Sequence, residues 1–149
     1  MKCVILAGGR GTRIAELTKE IPKPMIKISR RPILYHIMKH YSKYGFKEFI
    51  IATGHKKNII ADFFRKKKTQ DWNVKIVDTG KNTMTGGRLK RLEKYLKNET
   101  FMLTYGDGLS NVNLKKLLKL HKKNKKLATL TAVRPPARFG VIKFKGEHV

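Results

Sequence analysis

The chain is short of acid. Only 10 of its 149 residues are Asp or Glu, against 35 Lys or Arg, which gives a formal net charge of +25. That imbalance favours polyanionic partners and opposes compactness through self-repulsion, and it carries no information about fold. Cysteine is nearly missing too. Cys3 stands alone, so no intramolecular disulfide can form, and inside an apolar run it reads as a small core residue rather than a nucleophile. No apolar stretch approaches the length of a membrane span. The opening apolar run is too short for a signal peptide and gives way to glycines and arginines, so a cytoplasmic location with no membrane partner is expected. Linkers, repeats and low-complexity tracts are also lacking. One domain over 1–149, long enough for a real core, is therefore expected.

What is present begins at the N-terminus. Cys3-Val4-Ile5-Leu6-Ala7 is short, apolar and rich in branched side chains, as suits a strand buried on both faces. It runs into Gly8-Gly9-Arg10-Gly11-Thr12-Arg13, where three glycines allow positive φ and close backbone approach to a ligand. A strand ending in such a loop can turn several N–H groups toward a phosphate, with the Thr12 hydroxyl and the Arg13 guanidinium beside them. The pattern is neither a P-loop nor a dinucleotide fingerprint, and taken alone it can also be read as a glycine-rich turn. Lys23 lies between Pro22 and Pro24, which stiffen the backbone on either side. The segment is either a surface turn or an arm carrying a second cation to the same phosphates.

Further along, Ile33, Leu34, Ile37, Met38 and Tyr41 recur at helical spacing after Pro32, with Gly45 as a stop. Phe49 to Ala52 reads as a second buried strand, closed by Thr53-Gly54. Ile59, Ile60, Phe63 and Phe64 mark a helix, Trp72 to Val77 a strand, and Leu89, Leu92 and Leu96 another helix. A strand from Thr100 to Tyr105, a lysine-rich helix on Leu114, Leu117, Leu118 and His121, and strands over Leu127–Val133 and Phe139–Phe144 complete the pattern. This alternation predicts a mainly parallel sheet with helices on both faces, in which ligands bind beyond the carboxyl ends of the strands. Asp107, bracketed by Gly106 and Gly108, falls at one of those ends. It is a candidate Mg²⁺ ligand or simply an Asp-Gly turn. A second polar loop, Asp78 to Arg88, joins a strand to a helix; Gly86-Gly87 before that helix suit an anion, but as an isolated pattern the stretch reads first as a plain connecting loop.

Taken together, Leu6-Ala7-Gly8-Gly9-Arg10-Gly11-Thr12-Arg13, Pro22-Lys23-Pro24-Met25, Pro32 to Met38 and Tyr105-Gly106-Asp107-Gly108 resemble the signature of the sugar-1-phosphate nucleotidyltransferases. Val77 to Gly80, Met84 to Arg91, Ala128 to Ala132, Pro135-Pro136 and Arg138-Phe139-Gly140 extend the likeness to the cytidylyltransferase branch of that family. The resemblance implies a three-layer α/β fold of the nucleotide-diphospho-sugar transferase type, with a mainly parallel sheet. It also implies CTP and glucose 1-phosphate as substrates, CDP-glucose and pyrophosphate as products, and Mg²⁺ as cofactor. Carried over by position, Leu6, Ala7, Gly8, Gly9, Gly11, Thr12 and Arg13 line the nucleotide site, joined by Thr83, Arg88 and Asp107. Arg13 and Lys23 act on the phosphates, and Asp107 holds the metal. The attacking sugar phosphate is already ionised near neutral pH, its second pKa being about 6, so such chemistry needs alignment and charge neutralisation rather than a catalytic His or Ser.

The likeness has gaps. The family's later Glu-Lys-Pro segment and its second metal-binding Asp have no counterpart before Val149, and the stretch between Phe64 and Trp72 is shorter than the family's. The expectation is a C-terminally truncated chain comprising the N-terminal, nucleotide-binding portion, with a homo-oligomer possible. Two other readings stand beside it. One is an inactive fragment that at most binds nucleotide. The other is a basic nucleic-acid-binding protein, suggested by Lys115, Lys116, Lys119, Lys122, Lys123, Lys125 and Lys126. Those lysines flank a leucine stripe, as a solvated helix face does, and no aromatics interleave with them. Nonspecific adhesion to polyanions at low salt is expected in either case.

Overall fold

The computed structural model describes residues 1–9, 20–66 and 71–134. They fall into two compact units, Met1–Val112 and the part of the chain from Asn113 onward. The first unit is built on β1 (Lys2–Leu6), whose last four residues are buried, as the opening apolar run predicts. It pairs in parallel with β4 (Glu48–Thr53) on one side and β6 (Met102–Tyr105) on the other. Beyond β4 lies β5 (Asn73–Asp78), also parallel, so the strand order is β5-β4-β1-β6. β5 alternates in exposure, as an outer strand should.

The pleat sends alternate side chains to opposite faces. Val4 and Leu6 of β1, level with Ile50 and Ala52 of β4, pack with Leu92 and Leu96 in one cluster, which Val77, Leu89, Tyr95 and Phe101 complete. The helices on this side are α3 (Thr85–Arg91) and α4 (Glu93–Leu96). On the opposite face lies α1 (Ile33–Lys43), which buries Leu34, Tyr35, Ile37, Met38 and Tyr41. Burial pushes the Tyr41 phenol up, and a hydrogen bond with Thr104 opposes that shift. Trp72 joins the same layer, its ring 5.3 Å from Tyr35 and 5.7 Å from Phe49. α1 ends where Gly45, at φ +88°, turns the chain toward β4. α2 (Lys57–Lys66) connects β4 to β5. Helices on both faces of a parallel sheet are thus what the structure has.

Several local expectations change. The helix expected through Leu89, Leu92 and Leu96 is two helices, because the Leu92 and Tyr95 amides each bond three residues back, to Leu89 and Leu92, and tighten the chain there. Gly86 and Gly87 lie inside the first turn of α3 rather than ahead of it. Leu127–Val133 is not a strand. No ladder partner faces it among the described residues, and Leu127, Leu130 and Val133 are exposed. A small hairpin, β2 (Lys27–Ile28) with β3 (Arg31–Pro32), closes through Ser29 and Arg30, both at positive φ. The expected strand Phe139–Phe144 lies outside the described residues, as do Pro135, Pro136, Arg138 and Gly140 of the motifs.

In the second unit, α5 (Leu114–Asn124) is capped by Asn113, whose side chain accepts from the Lys116 amide at 3.0 Å. His121 and the Thr129 hydroxyl lie 3.0 Å apart, tying the segment after the helix back to it.

Candidate functional site

Parallel strands bring their carboxyl ends to one edge of the sheet, and there four loops meet. The β1 ladder runs on through the Ala7 amide, which donates to the Ala52 carbonyl at 2.9 Å, and Gly8 and Gly9 follow. Beside them lie Thr53-Gly54 after β4, Asp78 to Gly80 after β5 and Gly106-Asp107-Gly108 after β6.

The Pro-flanked lysine reaches this edge. Lys23–Met25 forms a single 3₁₀ turn with Pro24 and Met25 buried. The Gly106 amide donates to the Leu6 carbonyl at 2.9 Å, fixing the β6 loop against the end of β1. A Cβ on Gly106 would stand 2.8 Å from Pro24 Cγ, so the lysine arm and the β6 loop touch through a contact only glycine allows. Across it, Lys23 Nζ lies 2.6 Å from Asp107 Oδ2, both side chains about a third exposed. Two residues 84 positions apart, each singled out from sequence for phosphate chemistry, are brought into one ion pair at the ligand edge.

Arg88 enters from beneath. It is 5% exposed, and its guanidinium is caged by protein oxygens from three strand ends. Nη2 donates to the Gly8 carbonyl at 2.8 Å. Nη1 reaches the Gly80 carbonyl and Thr79 Oγ1 at 2.8 Å and the Thr53 carbonyl at 3.1 Å. Thr79 Oγ1 itself donates to the Thr53 carbonyl at 2.6 Å. Burial, with Arg91 nearby, pulls the Arg88 guanidinium below its ordinary value, and Asp78 opposes that shift. The cage leaves no room for side chains around it: a Cβ on Gly8 would lie 2.1 Å from Nη1, and one on Gly54 would lie 2.6 Å from both Nη1 and the Gly80 carbonyl.

The second loop is tied just as closely. Asp78 accepts from the Gly80 amide at 2.9 Å and pairs with Lys57 at 2.6 Å. Those two bonds hold its carboxyl below the usual carboxylate range, Lys57 contributing most. Gly80 takes φ +88°. Arg91 donates to the Thr79 carbonyl and to Thr83 Oγ1, each at 2.6 Å, so the Thr83 hydroxyl stands at this edge on an arginine tether.

Leu6, Ala7, Gly8, Gly9, Lys23, Thr83, Arg88 and Asp107 are therefore all placed at or just below one edge of the sheet. Gly11, Thr12 and Arg13 lie outside the described residues. Thr53, Gly54, Thr79 and Arg91 are parts of the edge that the sequence reading did not assign. Only the position of Gly54 immediately after a buried strand hinted at its place.

Superposition on solved structures shows that this doubly covered parallel sheet has the nucleotide-diphospho-sugar transferase fold. A structure of HddC from Yersinia pseudotuberculosis complexed with GMP-PN superposes with a TM-score of 0.72 at 32% identity, over 80% of this chain and 53% of that one. The nucleotidyl transferase family model matches residues 2–149, and the chain belongs to that family. It is 44% identical to the glucose-1-phosphate cytidylyltransferase of Salmonella typhimurium across its whole length, and 40% identical to a probable glucose-1-phosphate cytidylyltransferase of Bacillus subtilis over 95% of its length. The chain spans 66% and 64% of those two relatives.

Proposed function

We propose that this chain forms the nucleotide-binding portion of an enzyme that transfers a cytidylyl group from CTP to glucose 1-phosphate, yielding CDP-glucose and pyrophosphate. The observation that carries the reading is the Lys23–Asp107 pair, clamped against the end of β1 by the Gly106–Leu6 hydrogen bond. It sets one cation and one carboxylate side by side where a triphosphate leaving a glycine loop would arrive. Base and sugar choice rest on likeness to the two cytidylyltransferases. A nucleoside triphosphate substrate also goes with a cytoplasmic location.

The roles divide as follows. The backbone from Leu6 to Gly9, with Gly11 and Thr12, cradles the nucleotide, and Arg13 meets its phosphates. Lys23 neutralises charge at the phosphate under attack. Thr83 presents its hydroxyl to the nucleotide, and Arg88 contributes by holding the Gly8 carbonyl and hence the loop. Asp107 suits Mg²⁺: it is a hard oxygen donor at this edge, and Mg²⁺ bound with phosphates takes few protein ligands. No cluster of three or more His, Cys, Asp or Glu side chains exists among the described residues, and the other carboxylate at this edge, Asp78, is paired with Lys57. Such an ion, when bound, supplies further neutralisation of phosphate charge. Among the described residues no helix is long and apolar enough to cross a membrane.

Calorimetry with CTP, UTP, dTTP and ATP in the presence of Mg²⁺ at moderate salt tests the proposal. Saturable binding with CTP preferred is the expected result. Equal, weak binding of all four that fades as salt rises would reduce the site to charge attraction and overturn it.

A further inference from the structure

On the α1 side of the β6 loop, α1 and the β2–β3 hairpin form an open cleft of about 600 Å³ with an unusual lining. Arg31, Lys39 and Lys43 give it three permanent cations, and His36 and His40 add two imidazoles. The far wall is Leu109 and Ser110, on the loop that follows Asp107. Each imidazole is already oriented. His36 donates through Nε2 to the Ile28 carbonyl at 2.8 Å, and His40 through Nε2 to the Val112 carbonyl at 2.9 Å. The guanidinium of Arg31 rests 5.0 Å from the centre of the Tyr35 ring.

Among the described residues no carboxylate pairs with this group. Seven of the eight described acids, all except Glu20, are committed to ion pairs elsewhere, and none of those pairs involves a cleft residue. A concave site with several cations and no counter-ion concentrates positive potential that an incoming anion relieves. Its size falls within the range of small-molecule pockets. A nucleic acid strand would want exposed aromatic faces to stack on, whereas Tyr35, the one aromatic in the lining apart from the imidazoles, is buried. We propose that this cleft is a second anion site, separate from the nucleotide edge, that takes a small, multiply charged phosphate compound. The ligand would be free pyrophosphate or the phosphate end of a sugar phosphate or nucleotide.

The test is a titration of the full chain with inorganic pyrophosphate at raised salt, followed by the NMR signals of the His36 and His40 rings. Saturable shifts of both are expected. The double variant Lys39→Gln/Lys43→Gln should weaken binding about tenfold or more, as loss of two charge-assisted contacts requires. The variant Lys75→Gln/Lys94→Gln removes the same charge beside the Tyr95 ring, on the face of the sheet opposite α1, and should change affinity less than about twofold. In a Lys23→Ala background the histidine shifts should persist, which separates this site from the nucleotide edge. Titrations with glucose 1-phosphate and CTP then distinguish the sources of the phosphate. The proposal is overturned if both lysine pairs weaken binding equally, if Lys23→Ala abolishes the shifts, or if a random oligonucleotide saturates them at lower concentration than pyrophosphate.

Discussion

Replacing Arg88 by Met keeps the length and apolar stem of the side chain and deletes the guanidinium. Four acceptors are affected, but unequally. The Thr53 carbonyl retains two donors, the Thr79 amide at 2.9 Å and the Thr79 hydroxyl. The Gly8 carbonyl retains a longer bond from the His55 amide at 3.3 Å. The partly buried Gly80 carbonyl is left without a donor among the described residues, and Thr79 Oγ1 loses its donor but keeps its own bond to the Thr53 carbonyl. Each unsatisfied buried acceptor costs ~1–3 kcal/mol, and removing a cation buried without a carboxylate in direct contact returns part of that sum. The net expectation is a loss of about 3 kcal/mol, a large share of a typical domain's stability. For a chain of this size that lowers Tm by about 10 °C. Arg88→Lys restores charge but not the planar fork, and should recover less than half. Thermal and urea melts followed through the single Trp72 measure both. A Tm shift below about 3 °C for Arg88→Met would mean that the cage does not depend on its arginine, and the account of how these loops are joined would be refuted.

The remaining predictions are shorter. Gly8→Ala drives a methyl into the held Arg88 guanidinium and should cost ~2 kcal/mol, whereas Gly9→Ala meets nothing within 4 Å and should melt close to the parent; equal melts would contradict the cage geometry. Lys23→Ala and Asp107→Asn break a partly exposed pair and should each change stability by less than ~1 kcal/mol, while CTP binding with Mg²⁺ weakens at least about tenfold, which calorimetry reads. Asp78 is held below its ordinary range by Lys57 and the Gly80 amide, so its contribution to stability is present above the unfolded carboxylate value and is lost as pH falls through the lower folded one. Melts between about pH 6 and 3 should therefore show an acid-side decline that Asp78→Asn flattens; an unchanged acid limb would remove Asp78 from the account.

Most of the sheet was legible because periodicity records burial. The apolar run in β1 and the Leu34, Ile37, Met38 and Tyr41 stripe of α1 are buried as their spacing predicts, and Gly45 ends the helix at positive φ. Lys23 and Asp107 were singled out separately for a different reason, since proline flanks on one and glycine flanks on the other mark backbone held in unusual ways, but their pairing was not foreseen. Arg88 was harder. A basic residue early in a helix normally faces water, and its burial depends on oxygens supplied by three strand ends that converge only in the folded sheet. The β2–β3 hairpin gave no signal because Ser29 and Arg30 take positive φ where Asn or Gly would have announced a turn. Leu127–Val133 shows the reverse failure. Its composition suits a strand, but a strand exists only against a partner, and composition does not name one.

Cys3 sits in β1 between β4 and β6, completely buried, its thiol pushed up to about 12 chiefly by that burial and further by Glu48, while the nearby N-terminal ammonium opposes the shift. The reactive thiolate is therefore all but absent while the sheet is closed. An alkylating reagent must wait until β1 separates from both neighbours, and the labelling rate then equals the fraction of time the chain spends open multiplied by the reactivity of a free thiol. The only cysteine in the chain is thus a built-in clock for the opening of its centre, and one mass spectrum per time point reads it.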